Sequence, residues 1–204
     1  MRNKKIRNLI FCSILSGLIV VLVALNIGYI PIGAIAYITI LTIPVMVGAI
    51  FCEKWYYGLI LGTVFGLSSM IYSFIIPGVG GVNAPFTNPL LSVLPRSLFG
   101  LIIFPVYKLF YKNIKVDYIC IVMTVLVCQL FHSILVLATL YIVGSNGFFF
   151  YANDFPYLID NNILMFVIAG FGLNGLIETI VACVVTTPIY LVLKKIFSKY
   201  ENDF

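Results

Sequence analysis

The sequence predicts an all-α membrane protein of six transmembrane helices with cytoplasmic N and C termini, and two observations carry this prediction. The chain has 204 residues, of which 62% are hydrophobic and 9% charged, and a soluble domain of this length could not bury so much apolar surface. The two ends of each long apolar segment differ in charge, which is the positive-inside pattern. One set of ends carries Pro, Gly and Asn without Lys or Arg. The other set holds eleven of the twelve basic residues, namely Arg2, Lys4, Lys5, Arg7, Lys54, Lys108, Lys112, Lys115, Lys194, Lys195 and Lys199.

The first three helices are predicted at residues 7–29, 34–51 and 55–76. The first follows a basic N-terminus, and because no small-residue cleavage site comes after it, we expect a retained helix rather than a signal peptide. The turn Pro31-Ile32-Gly33 separates it from the second helix, and Cys52-Glu53-Lys54 forms the inner turn before the third. These turns are typical breaks between helices.

The last three helices are predicted at residues 88–111, 116–143 and 162–197. An outer loop at 77–87 precedes them and is too rich in Gly and Pro to be helical. Basic residues mark the next inner turn, and a second outer loop at 144–161 carries the aromatic side chains expected at a membrane interface. We therefore expect residues 1–204 to form a single six-helix membrane domain, with outer loops that act as a lid.

The chain lacks the motifs of ATPases and of membrane enzymes. It has no Walker A sequence and no GxSxG motif or carboxylate cluster for metal-assisted chemistry. Its five cysteines are scattered through apolar segments without metal-ligand spacing. The net charge of +5 comes from the cytoplasmic anchors rather than from a nucleic-acid site. We expect no enzymatic activity, no metal and no cofactor.

The twelfth basic residue, Arg96, lies several turns inside an apolar segment. Asn88, Ser92 and Arg96 follow one another at intervals of four residues and form a polar stripe on a helix. An arginine within a membrane segment is retained only where it is sheltered and partnered. We interpret Arg96, with Asn88 and Ser92, as the site for an anionic group of a solute. The alternative is a structural arginine that binds neighbouring carbonyls or a buried acid.

Polar residues on other helices are further candidates for the same site. Asn174 lies near the expected midplane of the last helix. Glu178, one turn further, is predicted to lie too deep to pair with Arg96 directly unless the last helix begins later than residue 162. Its alternative is a snorkelled or protonated acid. Gln129 and His132 on the fifth helix are interpreted as pocket residues, because the single histidine has no metal-ligand partner nearby. Tyr72 is included with them. For these residues interhelical hydrogen bonds or packing remain alternatives.

The first helix offers a small-residue face in place of polar side chains. Ser13 and Gly17 lie one turn apart, and small residues at this spacing let another helix approach closely. The face could serve a partner subunit or pack against the protein's own helices, and we assign it to a partner interface.

Several motifs together resemble the substrate-binding S components of energy-coupling factor (ECF) vitamin transporters, and the pantothenate-type subgroup is the most similar. They are the Pro-Ile-Gly turn, Thr42-Ile43-Pro44-Val45 with Gly48-Ala49-Ile50, the series Gly58, Gly62 and Gly66, and Asn88-Pro89-x-x-Ser92-Val93-Leu94-Pro95-Arg96-x-x-x-Gly100. The resemblance implies a vitamin held near the outer face, a transmembrane T subunit and two cytoplasmic ATPase subunits, in a prokaryotic plasma membrane. In that family the first helix carries an Ala-x-x-x-Ala contact face, to which Ser13 and Gly17 correspond.

Three functions compete on this basis. The first is a high-affinity vitamin-binding subunit of an ATP-driven importer, with pantothenate as the expected solute and hydroxymethylpyrimidine or folate as alternatives. The second is an autonomous small-solute facilitator. The third, an intramembrane enzyme that uses His132 or Glu178, ranks last because no nucleophile or metal site accompanies these residues.

Overall fold

The structure is a computed structural model that describes residues 2–32, 36–76, 84–114, 116–143 and 175–202. A two-stranded hairpin and a 3-10 turn at Ala84–Thr87 accompany seven helices in these ranges. The strands are β1 (Tyr29–Ile32) and β2 (Ala36–Thr39). The helices are α1 (Arg2–Ala24), α2 (Thr42–Phe51), α3 (Trp55–Ile75), α4 (Pro89–Ser92), α5 (Leu94–Asn113), α6 (Asp117–Val143) and α7 (Leu176–Asn202).

Five helical segments within the described ranges are long and apolar enough to cross a membrane. They are Lys4–Ala24, Trp55–Ile75, Pro89–Asn113, Asp117–Thr139 and Leu176–Phe197. The helical membrane fold class predicted from composition is confirmed by these segments. The start of the predicted sixth helix, residues 162–174, lies outside the described residues.

The prediction of one continuous helix at residues 34–51 is wrong. Ala36–Thr39 instead pairs antiparallel with Tyr29–Ile32, with Tyr29 opposite Thr39 and Ile32 opposite Ala36. The first helix accordingly ends at Ala24 rather than at residue 29. Both strands are rich in Ile, Tyr or Thr, which favour extended backbone, and Pro31 cannot continue a helix. The apolar character that suggested a helix is equally compatible with a buried hairpin.

The short helix α2 is buried on all sides. Every one of its ten residues is buried, and it packs against α1, α3, α5 and α7. At about 1.5 Å per residue its length is about 15 Å, half the thickness of a bilayer's hydrocarbon core. The hairpin therefore precedes a helix that is too short to span the hydrocarbon core.

Glycines set the contact between α3 and α5. A Cβ atom added at Gly62 would collide with the carbonyl oxygen of Arg96, and one added at Gly58 would collide with that of Gly100. The converse also holds, because a Cβ at Gly100 would strike the Gly58 carbonyl oxygen. Small residues permit such close backbone approach between helices. The contact fixes α5, and with it Arg96, against α3.

Interhelical polar contacts join α6 and α7 to their neighbours at the end marked by lysines. Lys194 Nζ in α7 lies 2.6 Å from Asp117 Oδ2 in α6. The hydroxyl groups of Tyr107 and Tyr190 lie 3.3 Å apart and join α5 to α7. These contacts align the three helices at one common level.

Candidate functional site

Buried polar side chains from three helices lie at one depth. Sixteen residues separate Arg96 from Lys112 in α5, and sixteen separate Glu178 from Lys194 in α7, so each lies about 24 Å from its lysine. His132 lies fifteen residues, about 22 Å, beyond Asp117. The Asp117–Lys194 pair aligns α6 with α7, and the Tyr107–Tyr190 contact aligns α5 with α7, so the three side chains occupy nearly the same level of the bundle.

Arg96 is a buried cation at this level, with 5% of its surface exposed. Its Nη1 donates to the Ser92 carbonyl oxygen at 2.6 Å and to Ser92 Oγ at 3.3 Å. Ser92 Oγ in turn donates to the Gly66 carbonyl oxygen at 3.1 Å. The interruption between α4 and α5 at Val93, followed by Pro95, places these carbonyl groups within reach. The arginine is thereby held in one orientation.

Aromatic rings enclose the guanidinium group. Its carbon lies 4.7 Å from the centroid of the Phe65 ring and 5.4 Å from that of Phe86. Such cation–π contacts stabilise a desolvated cation. Phe86 belongs to the 3-10 turn that precedes α4, so a residue of the predicted outer loop covers Arg96.

His132 shares the Phe65 side of the site. Its ring centroid lies 4.9 Å from that of Phe99 and 6.5 Å from that of Phe65. The imidazole is 5% exposed, and neither ring nitrogen has a hydrogen-bond partner among the described residues. A buried polar group without a partner costs free energy, so His132 is open to a polar group that the described part of the chain does not supply.

Gln129 and Glu178 form the second half of the site. Gln129 is fully buried, and its Nε2 donates to Glu178 Oε2 at 3.2 Å. Glu178 Oε1 accepts a hydrogen bond of 2.7 Å from the backbone nitrogen of Thr39, the last residue of β2. The carboxylate thus joins α7, α6 and the hairpin.

These residues form one electrostatic unit. Arg96 interacts electrostatically with both His132 and Glu178. We name the group Ser92, Arg96, Gln129, His132 and Glu178 the polar cluster. It combines a guanidinium group, a carboxyl group and uncharged hydrogen-bonding groups between aromatic walls, which suits a small polar solute with a negative group.

The structure distributes the predicted site residues unevenly. It brings Ser92, Arg96, Gln129 and His132 together. Asn88 instead caps α4, because its Oδ1 accepts from the Leu90 backbone nitrogen at 3.0 Å. An Asn followed by Pro at a helix start is the sequence signal for such a cap.

Two other predicted residues stay predictions. Tyr72 is half-buried and packs against the hydrophobic core. Asn174 lies outside the described residues, so its assignment to the site stays a prediction.

The expected depth of Glu178 depends on the helix end from which it is counted. Its depth was counted from a predicted outer helix end at residue 162, which made it too deep to reach Arg96. Counting from the lysine end gives Arg96 and Glu178 equal depth, as described above. The basic residues are therefore the better point from which to count depth along a helix, because Lys and Arg mark a membrane boundary that can be read in the sequence.

Ser13 and Gly17 point away from the bundle. Both are exposed, and a Cβ atom added at Gly17 would meet nothing within 4 Å. The opposite face of α1 packs inward through Cys12, Leu15, Ile19 and Val23. Packing of Ser13 and Gly17 against the chain's own described helices is therefore not observed, and the small-residue face is open to lipid or to a partner.

Comparison with known proteins identifies the chain at the level of a family. Curated proteins gave no significant match. The family model described as the substrate-specific component of ECF transporters matches residues 7–190, which is most of the chain and contains the whole polar cluster. Its members are transporter subunits rather than enzymes, in agreement with the absence of catalytic motifs in the sequence. The chain therefore belongs to the family of substrate-specific components of ECF transporters.

Proposed function

We propose that this chain is the high-affinity binding subunit of an ECF-type importer and that its solute is pantothenate, bound through its carboxylate to Arg96. Family membership supports a small-molecule substrate together with a T subunit and ATPases as partners. The prokaryotic plasma membrane is the setting that this role requires. The observation that carries the choice of solute is the buried guanidinium group in the polar cluster.

The guanidinium group at the Arg96 side of the cluster favours a solute with an anionic group. Arg96 is fixed by Ser92 and covered by Phe65 and Phe86, so it presents a desolvated positive charge. A carboxylate is the natural partner of such a group, because charge-assisted hydrogen bonds to guanidinium are among the strongest in proteins. A cationic vitamin would be repelled by the same charge. Pantothenate has one carboxylate, one amide and two hydroxyl groups, and therefore also has groups for the uncharged members of the cluster.

Calorimetric titration of purified protein in nanodiscs with pantothenate tests this function. We expect tight binding by the wild type and a loss of about 2–3 kcal/mol in Arg96→Ala, since a charged partner is removed from a low-dielectric site. That loss corresponds to roughly 30- to 150-fold in affinity.

The matched control is Ser97→Ala on the same helix. Ser97 Oγ lies 3.0 Å from Thr63 Oγ1, away from the polar cluster, so its removal should leave affinity unchanged. Wild-type affinity in a folded Arg96→Ala protein would refute the anchor. Pantothenate flux into liposomes that contain only this chain would favour the autonomous facilitator instead.

A further inference from the structure

We propose that Gln129, oriented by Glu178, recognises a hydrogen-bond donor on the solute, so that the site selects carboxylates that also carry a hydroxyl or amide N–H group. This inference rests on the proposed function and specifies which feature besides the carboxylate is recognised. It makes Gln129 a specificity-determining residue and Glu178 a positioning residue.

The orientation of the Gln129 amide follows from its neighbour. Gln129 Nε2 donates to Glu178 Oε2 at 3.2 Å, so the amide NH₂ group faces Glu178. The amide oxygen must then face the other way. Glu178 is itself held in place, because its Oε1 accepts from the Thr39 backbone nitrogen. Hydrogen bonds thus connect the hairpin, the Glu178 carboxyl group and the Gln129 amide in series, and they fix the direction in which Gln129 Oε1 points.

That acceptor is left without a donor. Gln129 Oε1 is buried and has no hydrogen-bond partner among the described residues, although Gln129 is 0% exposed. Buried polar atoms are normally paired. The group that pairs with Gln129 Oε1 must be a donor, and a hydroxyl or an amide N–H on the solute fits this requirement.

His132, about one helical turn from Gln129, also lacks a described hydrogen-bond partner and so also requires a polar group on the solute. It follows Gln129 at a spacing of three residues on α6, which places the two side chains on one face. Its two ring nitrogens are buried without a described partner, and a neutral imidazole has one donor and one acceptor. A solute with several polar groups, rather than a simple fatty acid, therefore satisfies this side of the site.

Two analogues of pantothenate separate the possible donors. N-(3,3-dimethylbutanoyl)-β-alanine keeps the carboxylate and the amide but lacks both hydroxyl groups. The second analogue keeps the hydroxyl groups and replaces the amide N–H by an ester oxygen. We expect the wild type to bind at least one analogue about tenfold or more weakly than pantothenate, because the buried acceptor would then stay unpaired.

Variants assign this preference to Gln129 and its orientation. In Gln129→Met the acceptor is absent, so the ratio of affinities between pantothenate and the discriminated analogue should fall to near one. In Glu178→Gln the neighbouring side chain can donate as well as accept, so the Gln129 amide is no longer held in one direction and the ratio should also fall. Tyr107→Phe, which removes a buried hydroxyl at the lysine end, is the control and should keep the wild-type ratio.

The single histidine supplies an independent readout. With ¹⁵N-labelled histidine, saturating pantothenate should shift at least one imidazole nitrogen resonance. Equal affinity of the wild type for pantothenate and both analogues, or a ratio that persists in Gln129→Met, would overturn the inference. An unchanged imidazole spectrum would remove His132 from it.

Failure of the proposed function has a different signature. Arg96→Ala should weaken pantothenate and both analogues alike, whereas Gln129→Met changes their ratio. If the wild type does not bind pantothenate, the choice of vitamin is wrong. The Gln129 inference is then tested on the solute that co-purifies with the protein, identified by mass spectrometry. A co-purifying solute with an O–H or N–H donor supports the inference, and one without any donor refutes it.

Discussion

Replacement of Gly62 by alanine tests whether the close contact of α3 and α5 holds the arginine in place. The added methyl carbon would lie 3.1 Å from the carbonyl carbon of Arg96 and 3.3 Å from Gly100 Cα, and closer still to the Arg96 carbonyl oxygen. All of these atoms belong to the backbone and cannot rotate away. The two helices must therefore separate, and the Arg96 carbonyl must move with its helix.

The expected magnitude follows from two opposing effects. Overpacking a closely fitted contact costs about 1–3 kcal/mol, and contact with backbone alone places this substitution near the upper limit. Alanine regains up to about 1 kcal/mol because it favours a helix more than glycine does. A net loss of about 2 kcal/mol corresponds to a fall in melting temperature of roughly 4–8 °C for a chain of this size.

Thermal unfolding of the purified protein, followed by circular dichroism, measures this fall. Gly17→Ala is the matched control in the same protein, because its methyl group meets nothing within 4 Å and should leave the melting temperature unchanged or slightly raised. We also expect Gly62→Ala to weaken pantothenate binding. A melting temperature in Gly62→Ala equal to or above that of Gly17→Ala would show that α3 and α5 are not in such close contact.

Two further predictions concern the inner turn and the partner face. Burial of the thiol raises the pKa of Cys52 to about 12. In a variant that retains only this cysteine, we therefore expect no alkylation by maleimide at pH 8 until the protein is denatured by detergent. Rapid alkylation of the folded protein at pH 8 would contradict this expectation. Since burial holds the folded-state pKa of Cys52 above the ordinary value of a thiol, ionisation of this thiol should also make the free energy of unfolding fall as pH rises from about 9 towards about 12. Gly17→Leu should abolish uptake in cells that carry the full transporter while the isolated variant keeps wild-type binding, because a bulky side chain blocks close helix approach on an exposed face. Loss of both activities, or retention of both, would remove this face from the partner interface.

The charge pattern was sufficient to predict the class of fold. Lysines and arginines at one set of helix ends reflect a rule about membrane boundaries, which does not depend on tertiary detail. The hairpin could not be predicted in the same way, because a run of Ile, Tyr and Ala is apolar in either conformation. Only the surrounding helices, which bury α2 and pair Glu178 with Thr39, decide between the two.

The sequence signal for the candidate site was the presence of charged or polar side chains in apolar helices, where burying them costs free energy. Arg96, Gln129 and His132 stand out in apolar helices for this reason. Asn88 caps the start of α4, and its place in the solute site stays a prediction. The depth expected for Glu178 depended on a helix end at residue 162, which the sequence does not mark.

The ten-residue length of α2 has a consequence for how the chain enters its membrane. A helix of about 15 Å cannot cross the hydrocarbon core alone, and the unpaired edges of a two-stranded hairpin are costly in contact with lipid. The segment from β1 to α2 is therefore stable at its final depth only after neighbouring helices have covered it. We therefore expect the Tyr29–Phe51 segment to reach its position only as the five long helices of the described ranges assemble around it.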